Sequence, residues 1–65
     1  MTYKFNARRL RLELHRHGWS TRELSRRLEC SPSSVSRWTR GLSTPSGSTV
    51  VQFANLFKVD PICFY

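Results

Sequence analysis

The 65-residue chain lacks several things, and each shortage excludes a class of protein. Its two cysteines, Cys30 and Cys63, are too few and too far apart to form a disulfide framework. No segment approaches the ~20 apolar residues of a membrane span, and the basic N-terminus lacks the apolar run of a signal peptide. There is no strand-like alternation and no Val/Ile-rich run, so the class expected is all-α. A chain this short forms one domain, residues 1–65, and buries only about 60% of its unfolded surface.

Reactive groupings are scarce as well. The one aspartate, Asp60, precedes Pro61, and the serines follow helix-cap logic, so no nucleophile–base–acid set is present. His15 and His17 are two apart on a predicted helix and point to different sides. Together with the two cysteines they match no zinc spacing. The expectation is no enzyme, no metal, no cofactor and no small-molecule ligand. The aromatics Trp19, Trp38, Phe53, Phe57 and Phe64 fall at core spacings, which argues against stacking platforms for single-stranded RNA.

What the chain does have is positive charge. Eleven Lys and Arg face four acids, for a net charge of +7. Residues 1–40 carry ten of the cations and the whole net charge, while residues 41–65 hold Lys58 and Asp60 and net to zero. Nine of the eleven cations are arginine, suited to bidentate contact with phosphate and guanine. The asymmetry implies a polyanion partner. Arg8, Arg11 and Arg26 are assigned to solvated surface.

Capping signals divide the chain into five predicted helices. The first covers 6–17, with Asn6 as cap, Leu10 and Leu14 inward and Leu12 off the stripe. The second covers 21–28 behind Ser20, with Glu23 at capping-box spacing. The third covers 32–40, with Ser31 as cap, Pro32 at the first helical position and Gly41 at the end. A Gly/Ser/Thr/Pro-rich loop leads to a fourth over 47–57, with Val50, Phe53, Ala54 and Phe57 inward. Asp60-Pro61 opens a last short turn or helix.

Only Glu29 and Cys30 separate the second and third helices, and Leu24, Leu28, Cys30, Val35 and Trp38 supply the surface that locks them together. This is the layout of a helix-turn-helix, whose second helix enters the DNA major groove. Val35 and Trp38 point inward, leaving Ser33, Ser36, Arg37 and Arg40 outward. A serine-rich face is poor for helix propensity and good for close approach to base edges. Arg37 is the predicted main base reader, on guanine; Ser33, Ser34 and Ser36 are weaker readers, and Pro32 meets a thymine methyl. Thr21, Arg22 and the free N–H groups of the second helix, with Ser31, Arg40, Ser43 and Thr44, are the predicted phosphate contacts.

Residues 20–41 resemble the helix-turn-helix of the Cro and phage-repressor (XRE-like) regulators, matching the family pattern at Ser20, Leu24, Leu28, Ser31, Val35, Ser36, Trp38 and Gly41. Leu10, Gly18-Trp19, Pro45-Ser46, Val50, Phe53, Ala54, Phe57, Val59 and Phe64 extend the resemblance over nearly the whole chain. It implies a compact five-helix lambda-repressor-like domain and a sequence-specific regulator on double-stranded DNA in the bacterial cytoplasm, most like a stand-alone phage or prophage Cro-type repressor. In that family the positions matching Arg40, Ser43 and Thr44 supply phosphate contacts. The chain departs from the pattern at Ser25 and Glu29, which replace Ala and Gly, and at Leu14 and Thr39, which replace a semi-buried Arg–Glu pair. An apolar contact is expected in place of that pair. Cys30 fills a Val slot, implying a buried, reduced thiol. The family's dimeric habit marks Ile62, Cys63 and Tyr65 as a small two-fold patch for a weak homodimer formed mainly on DNA. Two rival readings use the same fold: a protein-interaction module such as an antitoxin or accessory factor, and the DNA-binding domain of a larger repressor.

Overall fold

A computed structural model describes residues 4–65. They form four α-helices, α1 Ala7–His17, α2 Thr21–Leu28, α3 Pro32–Thr39 and α4 Gly47–Phe57, then one 3-10 turn, Pro61–Phe64, with no strand among the described residues. The expected fifth helix is thus corrected to a single turn. Asp60 caps it and Pro61 opens it, but it closes through i→i+3 bonds, Cys63 N–H to Asp60 O and Tyr65 N–H to Ile62 O. The third helix also stops one residue sooner than expected, because Arg40 (φ −92°, ψ −1°) already leaves the helical backbone for the turn at Gly41.

Every element starts on a side-chain cap. Asn6 accepts from the Arg9 N–H, Ser20 from Glu23, Ser31 from Ser33, Ser46 from Thr49 and Asp60 from Ile62. Each cap satisfies one of the donors that a helix start leaves unpaired. The Ser20–Glu23 box is only half made, since the Glu23 carboxylate turns to Arg26 and Arg27 instead.

All four helices end alike, with a left-handed residue followed by a back-bond to the carbonyl five residues earlier. The bonds are Trp19 N–H to Leu14 O, Cys30 to Ser25, Leu42 to Arg37 and Val59 to Ala54. Gly18 (φ 67°) and Gly41 (φ 73°) take the left-handed position freely, whereas Glu29 (φ 56°) and Lys58 (φ 58°) hold it with a side chain.

The core is one cluster drawn from every element: Leu10 and Leu14 of α1, Leu24 of α2, Val35 of α3, Val50, Phe53 and Phe57 of α4, and Phe64. Phe53 sits at its centre, with ring centroids 5.6 Å from Phe64, 5.7 Å from Trp38 and 6.0 Å from Phe5. The Asn6 N–H donates to the Phe64 carbonyl, which ties the start of α1 to the 3-10 turn. No helix among the described residues is long and apolar enough to cross a membrane.

One charged residue belongs to this interior. Glu13 is fully buried, with Oε2 2.8 Å from Arg9 Nε and 3.5 Å from Arg16 Nη1, while Oε1 has no hydrogen-bond partner among the described residues. His17 Nδ1 lies 3.0 Å from the Glu13 carbonyl, so that nitrogen carries the ring proton, and the ring packs on Trp19 and Phe57.

Two stability predictions follow from these features. Glu29→Gly should stabilise by about 1 kcal/mol through relief of the left-handed strain, raising Tm by roughly 4–8 °C. Gly18→Ala should lower it, and a lower Tm for Glu29→Gly in a thermal melt would contradict the strain. Glu13→Met should leave Tm unchanged or higher, because the cations around it reach water and an apolar side chain leaves no orphan oxygen. A loss of about 3 kcal/mol or more would show instead that the ion pairs hold α1 in place.

Candidate nucleic-acid interface

The helix-turn-helix is held from inside by buried Leu24 and Val35, with Leu28, Cys30 and Trp38 packed against them. Ser25, in the slot where a small residue was anticipated, is also buried and returns its hydroxyl to the Arg22 carbonyl at 2.7 Å, so it leaves no unpaired group. The two-residue turn works because Glu29 adopts the left-handed backbone that glycine would have taken freely.

With that inner surface fixed, α3 turns a polar face outward. Pro32, Ser33 and Arg37 are exposed, Ser34 and Ser36 are half-buried, and Arg40 is exposed where the helix ends. In α2, Arg22 is exposed and Thr21 half-buried at the helix start; in the loop after α3, Thr44 is exposed and Ser43 half-buried. Two of the predicted hydroxyl contacts are already engaged with each other. Ser31 Oγ accepts from the Ser33 N–H (3.2 Å) and lies 2.7 Å from Ser33 Oγ, so Ser31 serves first as a cap.

Two of the four acids divide the arginines into two sets. Arg9 and Arg16 are spent on Glu13, and Arg26 and Arg27 on Glu23. Arg27 is further held over the Trp19 ring, 4.2 Å from its centroid. Arg11, exposed as expected, also donates to the Thr39 carbonyl. Leu14 joins the core, while Thr39, buried, offers its main-chain oxygen to Arg11. Arg22, Arg37 and Arg40 enter no ion pair or side-chain hydrogen bond among the described residues. All three belong to the helix-turn-helix and its exit, on helix positions away from the core. Arg8, on the outer side of α1, is likewise uncommitted and exposed. Glu29 is exposed in the turn before the α3 cap.

A family model described as a helix-turn-helix domain matches residues 7–62, from the first residue of α1 into the 3-10 turn. The chain belongs to the helix-turn-helix domain family. No curated protein and no solved structure matches it. Helix-turn-helix domains lay their second helix in the major groove, which gives α3 its coarse role and makes the chain, at that level, a DNA-binding regulator.

Sequence reasoning missed two residues that shape this helix-turn-helix domain. Glu13 lies at i+3 from Leu10, on the inward stripe, with Arg9 and Arg16 at i−4 and i+3, so its spacing carried the signal. The Arg11 contact spans 28 residues of sequence and left no local trace. Cys30 is half-buried rather than fully buried, and both cysteines are free thiols. Burial pushes the Cys30 thiol above its ordinary value, keeping it protonated and slow to react. In Cys63→Ser, alkylation of Cys30 should therefore be slower in the native protein than in urea, and equal rates would contradict this.

Proposed function

We propose that the chain is a sequence-specific transcription regulator of double-stranded DNA, of the Cro-like repressor kind, working in the bacterial cytoplasm. What carries the reading is the division of the arginines: those left without a carboxylate in the helix-turn-helix are Arg22, Arg37 and Arg40 on its outer positions. Arg37, mid-helix, reads a guanine through O6 and N7; Ser33, Ser34 and Ser36 let the α3 backbone approach the base edges, and Pro32 meets a thymine methyl. Arg22 and Thr21 at the start of α2, and Arg40, Ser43 and Thr44 after α3, hold the two flanking backbones and fix register. Ser31 supports this by capping α3.

Selection of bound oligonucleotides from a random pool should yield a defined operator. On it, Arg37→Ala should cost about 1–3 kcal/mol and relax preference at one base pair. An unchanged ratio of operator to random affinity would overturn the role given to Arg37.

The reading extends to pairing on the operator. Phe64 is buried, whereas Ile62 is 67% and Tyr65 43% exposed beside half-buried Cys63. So small a patch is well below a standard interface, so free dimers are weak and two copies associate mainly on a palindrome, with recognition helices about 34 Å apart. Footprinting should show cooperative protection of both half-sites. Saturating 1:1 protection of a single half-site, with no cooperativity, would rule the dimer out.

A further inference from the structure

Among the described residues, Arg11 is the one arginine whose side chain donates to a main-chain oxygen, and that oxygen belongs to another helix, the proposed recognition helix. The final carbonyls of any helix lack the regular partner. In α3 the Ser36 carbonyl accepts from the Arg40 N–H (3.1 Å) and the Thr39 hydroxyl (2.8 Å), that of Arg37 from Leu42 N–H (2.9 Å), and that of Trp38 from Gly41 N–H (3.2 Å). These partners all come from α3 and the turn after it. The last carbonyl, on buried Thr39, is taken by Arg11 Nη1 from α1. The guanidinium also brings positive charge to the negative end of the helix dipole. Close by, a Cβ added to Gly41 would lie 3.9 Å from the Ala7 Cβ, so the exit of α3 rests on the first turn of α1.

We propose that Arg11 is a positioning residue for DNA recognition. It pins the C-terminal end of α3 to α1 and thereby sets the angle at which Arg37, Arg40 and the loop with Ser43 and Thr44 meet the duplex, without touching the DNA itself. An eight-residue helix does not hold its own shape or pitch in water. The start of α3 is held by its cap and by Val35 in the core; its end is held by Trp38 against Phe53, by the turn and by Arg11, which alone reaches the last carbonyl from α1. The inference rests on the DNA-binding function proposed above.

The test compares Arg11→Met, Arg11→Lys and Thr39→Val with the wild type on the selected operator and on random duplex. Arg11→Met should weaken operator binding roughly tenfold, the size of a lost charge-assisted hydrogen bond. Random-duplex affinity should fall no more than about twofold, and the salt slope should stay unchanged because no phosphate contact is lost. Arg11→Lys should recover most of the loss, since a lysine still donates to a carbonyl. Thr39→Val should bind within about threefold of wild type, because the carbonyl that Arg11 uses remains. Without DNA, amide exchange at Gly41 and Leu42 should quicken in Arg11→Met while that at Glu29 and Cys30 stays as in the wild type. A salt slope lower by about one would make Arg11 a phosphate contact and overturn the proposal. Unchanged exchange at Gly41 and Leu42, or a lysine variant no better than the methionine one, would overturn it too. Failure of the wild type to bind any duplex would overturn the function instead, a result separate from the exchange measurement.

Discussion

Helices of eight to eleven residues are too short to persist alone, so this fold depends on how their ends are closed. Each begins on a side-chain cap and ends in a left-handed residue whose successor bonds back across the last turn. With the ends closed, the interior has only to join the segments, and Phe53 does so by packing against Phe5 just before α1, Trp38 of the third helix and Phe64 of the 3-10 turn. That economy leaves α3 free to carry a face of serine and arginine that adds almost nothing to its own stability. The same logic explains why Glu29 and Lys58 are tolerated as left-handed residues: the closure is worth more than the strain.

A second constraint is the shortage of acid. Four carboxylates cannot neutralise eleven cations, so their positions decide which arginines remain free. Glu13 and Glu23 each hold two arginines at helical spacing, which removes Arg9, Arg16, Arg26 and Arg27 from the unpaired set. Asp60 is committed to capping the 3-10 turn. Nothing acidic lies in α3 or in the loop that follows, so Arg37 and Arg40 keep their charge uncompensated there, beside Arg22 at the start of α2. An exposed ion pair contributes little to stability, but it settles whether a guanidinium already has a partner when a phosphate arrives.

Much of this was legible in the sequence, for a local reason. The bounds of α2 and α4 follow from Ser20, Gly47 behind Ser46, and the last inward residues, because caps are local chemistry. The end of α3, expected one residue later, and the last element, left open between turn and helix, lie where four or fewer residues decide; Pro61 marks a start but does not set a length. Glu13 could have been found from its spacing, had a carboxylate on the apolar stripe been weighed against the arginines a turn away. The grip of Arg11 on Thr39 could not, because only tertiary packing brings α1 and the end of α3 together. Within the candidate site, the outward positions of α3 came from helical periodicity, whereas the separation of spent from free arginines required the structure.

The central claim is that, within the helix-turn-helix, the arginines without a carboxylate partner are the ones that meet DNA, with Arg22 and Arg40 on phosphate. It is tested most directly by the salt dependence of binding to random duplex DNA for the wild type, Arg22→Ala and Arg26→Ala. Both arginines lie on α2, and they differ in whether Glu23 already holds them. The account predicts that Arg22→Ala lowers the slope of log affinity against log salt by about 0.9, the loss of one phosphate contact, while Arg26→Ala leaves it unchanged. Equal effects of the two substitutions, or a larger one for Arg26, would contradict it.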